Sequence, residues 1–517
     1  MQQRNSYRHH GTLVAVSWIP IYNNGCNNKY AVEGMGYSPG KRETLMKYIL
    51  KKKFALRGYD AGNQKVLEDL TDGKRISLSD TAMDILKLCD GETDFDQYCL
   101  LPVFNQMAEY FFRKGWVEDA NAGQRLLPEQ IYQTVQLPNI RVAQWSITGQ
   151  CNARCRHCFI ASSQKAHTDL NTEEMIHIQN VLAENQVTEL VLTGGEPLLR
   201  EDLPLLLDET AKHGQKIKAV STNGFLLSDS MIDQFLSRGM HTRFDISFDG
   251  PGHHDWIRGV EGAEQMVTAA AESCRRKKIE FGFNMCVHHG NVHLIVPAIH
   301  RAAELGAKRI RISPVGDFGG FSSDEGILPL SFSEAAPIFL KAATEAAADK
   351  PDIDIEFCGF LKFCGKEPAK YSISPLEHCC TDLGRNRVCE AACSTCYISD
   401  EGRLLPCMAV AGSAEEQNFY RLTEHSFDEC LNHSFYREFL NQRSDTLIQR
   451  NPECAGCEYL PSCGCGCRGA SLALHGHLYG VDEERCTFFR NHWPEKIREA
   501  MDLCLADTGS EEDNKPT

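Results

Sequence analysis

The sequence contains no apolar run approaching the length of a bilayer span, so no membrane partner is expected. It also lacks a basic excess, with 54 Lys and Arg against 70 Asp and Glu and a formal charge of −16. Phosphate backbones are bound by a positive field, so nucleic acid is not expected as a partner. No secretory leader is expected. The apolar stretch Thr12 to Ile21 is short, is broken by Pro20, is followed by no clear cleavage site, and reads as a strand. What is present is an ordinary globular composition, 42% hydrophobic and 24% charged over 517 residues. That is enough for a real core and too long for one ordinary domain.

Cysteine is the exception. The chain has 24, thirteen of them between Cys379 and Cys486. A disulfide framework or a set of metal-binding thiolates would use so many. Disulfide frameworks serve small domains that cannot build a core, and this chain can build one. The spacings Cys151-x3-Cys155-x2-Cys158 and Cys454-x2-Cys457-x5-Cys463-x3-Cys467 bring thiols close enough to converge on one centre. They favour metal, and with it a reducing cytoplasm. Three thiols on one loop would leave one iron of a cubane open to an outside ligand. A structural zinc completed by a fourth ligand such as His157 is the competing possibility.

Along the chain, residues 1–40 are rich in turns, and the lysines of Lys41 to Arg57 read as a solvated helix face. Short extended segments then precede Ser79-Asp80, an N-cap for a helix from Thr81 to Cys89. A second helix is expected from Leu101 to Arg113, and a strand from Val117. This order suggests a winged helix-turn-helix. Beyond a linker the pattern alternates. Strands are expected at Val142–Thr148, Glu189–Thr193, Ile217–Ser221, Arg243–Phe248, Glu280–Val287 and Arg309–Ser313, with helices between them. Six β-α repeats with buried strands predict a parallel sheet, open or curled into a partial barrel. The chemistry of such barrels sits at the C-terminal strand ends. Cys151 to Cys158, Gly194-Gly195-Glu196, Asn223 and Asp249 all follow strand ends. From about Asp352 the pattern dissolves into a cysteine-rich region that apolar burial alone is not expected to hold. The tail after Asp507 is acidic and apolar-poor, hence disordered.

Cys151-Asn-Ala-Arg-Cys155-Arg-His-Cys158-Phe159 after the first strand, with Gly194-Gly195-Glu196-Pro197 after the second, resembles the radical S-adenosylmethionine (SAM) superfamily. The resemblance implies an α/β fold, a partial (β/α)6 TIM-type barrel over residues 141–345. It also implies a [4Fe-4S] cluster on Cys151, Cys155 and Cys158 whose open iron binds S-adenosyl-L-methionine. Gly194 and Gly195 would let the backbone approach the cofactor, and Glu196 would accept from its ammonium. Ser247 and Asp249 match a position near the ribose, Asn223 is a further cofactor contact, and Phe159 packs near the adenine or in the core. The glycine-rich run Gly316 to Gly320 reads as a plain loop or an adenosine contact.

Downstream, Cys389, Cys407, Cys454, Cys457, Cys463, Cys467 and Cys486 resemble the seven-cysteine SPASM extension, here over 346–490. Two auxiliary [4Fe-4S] clusters are implied, one on Cys454, Cys457, Cys463 and Cys486, the other on Cys389, Cys407 and Cys467. The fourth ligand of the latter is left among Cys379, Cys380, Cys393, Cys396 or an open position, and Cys465 is extra to the pattern. The stretches Ser79 to Gly91 and Phe112 to Val117 look like the PqqD-like precursor-recognition element of peptide-maturing enzymes. That element would occupy 41–125, before a linker at 126–140, and a C-terminal helix and tail would fill 491–517. Such elements take a leader peptide as an added strand. Over 54–120 seven basic residues face thirteen acidic ones, the wrong sign for a DNA reader.

The resemblance therefore implies a radical enzyme forming thioether crosslinks in a cysteine-containing precursor peptide. It would be served by a flavodoxin- or ferredoxin-type reductant in the cytoplasm. Carbon–carbon crosslinking, formylglycine formation and a non-enzymatic metal-binding regulator are the alternatives.

Overall fold

A helix was expected across the lysines at the front of the chain, and strands are found. β1 (Tyr48–Leu50) and β2 (Phe54–Tyr59) are apolar tracts, and Lys51, Lys52 and Lys53 lie between them. Tracts this short carry too little periodicity to outweigh a run of lysines. The computed structural model describes residues 47–60, 63–95, 102–158, 160, 169–315, 326–376, 388–389 and 391–509. The expectations for residues 1–40, Phe159, Gly316 to Gly320, Cys379, Cys380 and the tail beyond residue 509 fall outside them.

β3 (Gln64–Asp69) and β4 (Arg75–Ser77) continue an antiparallel meander from β2. α1 (Asp80–Lys87) begins at the expected cap, where Ser79 Oγ accepts the Ala82 N–H at 3.1 Å. α2 (Pro102–Arg113) follows, then β5 (Val117–Asp119), which pairs with β1. The segment read as a linker is stitched into this unit. Buried Gln130 donates from Nε2 to the carbonyls of Leu50, Lys51 and Phe54. β6 (Gln133–Thr134) runs parallel to β2, giving the order β4-β3-β2-β6.

The six parallel strands stand where the alternation put them: β7 (Val142–Ser146), β8 (Glu189–Thr193), β9 (Lys216–Thr222), β10 (Arg243–Ser247), β11 (Phe281–Val287) and β12 (Arg309–Pro314), each hydrogen-bonded to the next. They are linked by α3 (Thr172–Glu184), α4 (Leu203–Lys212), α5 (Asp229–Leu236), α6 (His254–Arg258), α7 (Ala263–Lys277) and α8 (Ile295–Glu304). One sheet face packs Leu190, Leu192, Phe244, Ile246, Phe283 and Ile310 into the core. Side chains alternate along a strand, so Arg243, Asp245, Asn284, Cys286, Arg309 and Arg311 fall on the other face. There Asp245 accepts from Arg243 at 3.0 Å and Arg309 at 2.8 Å, and Arg311 meets Glu356 at 3.0 Å. The sheet expected to be buried on both sides thus has a polar, ion-paired inner face.

The sheet also continues past residue 345. After α9 (Phe332–Asp349), β13 (Asp354–Phe357) adds parallel to β12, and β14 (Leu361–Cys364) and β15 (Glu367–Ile373) fold back antiparallel. At the opposite edge β16 (Thr395–Ile398) lies parallel to β7 and carries β17 (Leu404–Leu405). Among the described residues the result is an eleven-stranded sheet with one continuous core running from Ile140 to Met501. Apolar burial therefore reaches well into the cysteine-rich region. Among the described residues no helix is long and apolar enough to cross a membrane.

Phe357 is fully buried on β13, its ring 5.2 Å from that of Phe339 on α9. We expect Phe357→Ala to lower the unfolding free energy by about 3–5 kcal/mol, measured by chemical denaturation. A change below about 1 kcal/mol would mean that β13 is not part of the central core.

Candidate active site and metal centres

The loop after β7 is tied down at both ends. Asp169 accepts from the Thr148 hydroxyl and, at 2.7 Å, from the Gly149 N–H. Farther on, the N–H groups of Arg154 and Arg156 donate to the C-terminal carbonyls of α6, Arg258 at 3.0 Å and Ile257 at 2.9 Å. Arg156 also lays its guanidinium over the Trp256 ring, 4.7 Å from the centroid. This loop carries Cys151, Cys155 and Cys158, all free thiols and all partly buried. Burial pushes the Cys151 thiol up to about 11, with Cys155, Glu196 and Cys158 adding to the rise. Burial raises Cys155 as well, against the pull of Arg258, whose Nη1 lies 3.5 Å from its Sγ. A coordinating metal makes a buried thiol a thiolate outright.

The Gly194-Gly195-Glu196 turn closes over this loop. The Gly195 N–H donates to the Thr148 carbonyl at 2.7 Å and the Glu196 N–H to that of Gln150 at 2.8 Å. A Cβ on Gly194 would stand 2.3 Å from Thr148 O, and one on Gly195 2.1 Å from Gln150 O. Gly194 also has φ +137°, a region that favours glycine. The close approach that the sequence suggested for a cofactor is thus made first to the cysteine loop itself. Glu196 is fully buried, and its carboxylate accepts from Leu198 N, the Thr222 hydroxyl and Asn223 N at 3.0, 2.8 and 2.7 Å. These bonds clamp the turn after β8 to the one after β9. Asn223 in turn donates to Asn152 Oδ1 at 2.7 Å and approaches Cys151 Sγ at 3.8 Å.

Asp249 lies beneath the loop rather than on an open face. It is fully buried; Oδ2 meets Arg258 Nε at 2.7 Å and His254 Nδ1 at 3.2 Å, and Oδ1 accepts the Cys286 N–H at 3.0 Å. Burial would raise its carboxyl, but Arg258, the contact with His254 and nearby His157 together outweigh it and hold the group well below the usual range. The structure therefore gives Asp249 the task of holding Arg258 against Cys155. Ser247, at the end of β10, is half-buried beside Asn284. Arg258 and α6 were missed in the sequence, where five residues are too few for periodicity to show.

His157, Asp249 and Cys286 place ligand atoms within 4.8 Å of one another, the tightest such grouping among the described residues.

The downstream thiols also gather. Cys454, Cys457 and Cys486 lie within electrostatic reach of one another, and Cys463 within reach of Cys486. Cys407 is within reach of Cys467 and Cys389, and a Cβ on Gly469 would stand 3.6 Å from both Cys407 Sγ and Cys467 Sγ. Cys396 is buried on β16. Cys465 is buried with φ +66° and turns its carbonyl to Arg468.

Residues 145–293 match the Radical SAM superfamily, and this part of the chain is a radical SAM domain. The chain is 26% identical over 360 residues to the AdoMet-dependent heme synthase of Methanosarcina barkeri, covering 67% of this chain and 96% of that one. It is also 26% identical over 341 residues to the PqqA peptide cyclase of Xanthomonas campestris pv. campestris, covering 65% and 84%. The fold is similar to that of Streptococcus suis SuiB bound to its precursor peptide SuiA, with a TM-score of 0.55 and 14% identity over 85% of this chain and all of that one.

Two outcomes test this geometry. Gly195→Ala should cost one cluster's iron, about four per chain, with an unchanged circular dichroism spectrum; full iron loading would show that the close contact is dispensable. Burial lifts the Glu196 carboxyl from 4.5 to about 7, against its three hydrogen bonds. The unfolded chain loses this proton first, so the associated stability is present below about pH 4.5 and is lost as pH rises to about 7. The difference in unfolding free energy between wild type and Glu196→Gln should therefore fall across that window, by about 1.4 kcal/mol per pH unit at most. A flat difference would contradict it.

Proposed function

We propose that the protein is a radical SAM enzyme that installs intramolecular thioether crosslinks in a cysteine-containing, ribosomally made precursor peptide. The observation that carries the reading is the loop of three partly buried thiols at the C-terminal end of β7, locked under Gly194-Gly195 and flanked by Arg258. Cys151, Cys155 and Cys158 hold a [4Fe-4S] cluster and leave one position for S-adenosyl-L-methionine. Together these groups supply a 5′-deoxyadenosyl radical able to take a hydrogen from substrate carbon. The chain's own part is positional. Arg258 offsets thiolate charge, Glu196 and Asn223 fix the loop, and Ser247 and the polar inner face border the space where the cofactor's ribose and the substrate lie.

Peptide as substrate is supported by the chain-length likeness to a fold solved with a precursor peptide and by the 26% identity to a peptide cyclase. The front unit, with β4 at its sheet edge, takes the leader as an added strand. Cys454, Cys457, Cys463 and Cys486 hold one auxiliary cluster. Cys389, Cys407 and Cys467 hold another, with room for a substrate thiolate. A flavodoxin- or ferredoxin-type reductant in the cytoplasm supplies the electron. A second reading, chemistry on a carboxylate-bearing tetrapyrrole, is favoured by the heme synthase match across 96% of that relative and by Arg311 on the inner face, its side chain 41% exposed.

Cys151→Ala, Cys155→Ala and Cys158→Ala together should abolish 5′-deoxyadenosine formation by the reduced, anaerobically reconstituted protein while leaving the auxiliary iron; continued formation refutes the ligand assignment. Co-expression with a short cysteine-containing precursor should give a product lighter by two hydrogens per bridge, with matching loss of alkylatable thiols. Crosslinks that retain every thiol would move the assignment to carbon–carbon bond formation. An unmodified peptide beside a modified tetrapyrrole would favour the second reading.

A further inference from the structure

Arg468 follows Cys467 directly and is only 1% exposed. Its guanidinium is held from one side: Nη1 donates to the carbonyls of Leu478 at 2.8 Å and Gly480 at 3.0 Å, and Nη2 to that of Cys465. Nε is buried with no hydrogen-bond partner. Among the described residues no carboxylate comes within ion-pairing distance. Asp482, the nearest candidate, spends both oxygens on backbone N–H groups, of Cys467 at 2.7 Å and Arg485 at 2.9 Å. A buried cation satisfied only by carbonyls is costly, and such charges are normally paired. Several of the groups around it are thiols. Arg468 lines a cavity with Cys454, Cys463, Cys465, Cys486 and Asp482, and Cys467 precedes it directly in the chain.

We propose that Arg468 is the buried counter-cation of the auxiliary centres, placed between the two cysteine sets so that its charge favours the reduced form of the cluster held by Cys454, Cys457, Cys463 and Cys486. This rests on the reading of those thiols as cluster ligands. The physical case is direct. A cubane with four thiolates is an anion, and one-electron reduction adds a further negative charge with no proton. A fixed positive charge nearby stabilises the reduced state more than the oxidised one and raises the reduction potential. The unpartnered Nε–H is a donor for a cluster or thiolate sulfur.

The test is a potentiometric titration of the iron-loaded full-length protein, followed by electron paramagnetic resonance, in the Cys151→Ala/Cys155→Ala/Cys158→Ala background, so that only auxiliary signals remain. Arg468→Gln removes the charge and should shift the auxiliary midpoint downwards at unchanged iron content. Arg468→Lys keeps the charge but gives up carbonyl bonds; it should keep a near-wild-type midpoint while lowering the unfolding temperature. The proposal is overturned if Arg468→Gln binds full iron with an unshifted midpoint. It is equally overturned if Arg468→Lys shows a lowered midpoint, because the hydrogen bonds rather than the charge would then set it. Should Arg468→Gln fail to fold, the Lys variant alone decides. If the background protein binds no iron at all, the auxiliary-cluster reading itself has failed, which is a separate result.

Discussion

A thiolate inside a protein needs a positive charge beside it, and most of the functional architecture of this chain answers that requirement. Burial pushes the thiols of Cys151, Cys407 and Cys463 to about 11 or 12, so left alone they would stay protonated at neutral pH. The chain supplies part of the missing charge with arginines placed where water cannot reach. Arg258 stands against Cys155 and Arg468 among the downstream thiols, while half-buried Arg311 has Nη2 3.6 Å from Cys358 Sγ. In the proposed reading a metal centre supplies the rest, and folding and metal uptake are then linked.

The arginines themselves have to be held. Arg258 sits on a single turn of helix and is pinned by Asp249, which is pinned in turn by His254 and the Cys286 N–H. The same turn offers its last carbonyls to the cysteine loop. One short element therefore positions both the thiols and their nearest cation. Glu196 closes the other side by joining the turns after β8 and β9. Two fully buried carboxylates bracket the loop, one ion-paired and one held by three neutral donors, which is why their acidities move in opposite directions.

Much of this was legible in the sequence. The six parallel strands and their helices follow from apolar tracts alternating with helical periods, and the cysteine spacings single out the candidate ligand thiols. The roles of Glu196 and Asp249 were not legible, because a carboxylate after a strand end looks the same whether it faces a cavity or a buried arginine. Arg468 was hidden for a similar reason. Its partners are main-chain carbonyls three residues back and ten and twelve residues on, and no residue type announces them. β13 and β16 are four-residue strands, too short for alternation to stand out, and only the finished sheet shows that they flank the six parallel strands. α9 was missed although a signal was present: Ser331 and Glu334 form a capping box ahead of an alanine-rich run.

The central claim is that three cysteines bind a cluster and leave one iron free for the cofactor. It is tested most directly by electron–nuclear double resonance on the reduced, iron-loaded protein with S-adenosyl-L-methionine carrying oxygen-17 in its carboxylate. The account predicts an oxygen-17 hyperfine coupling on one cluster signal, showing cofactor bound to iron. A fully loaded protein whose cluster signals show no such coupling would contradict it.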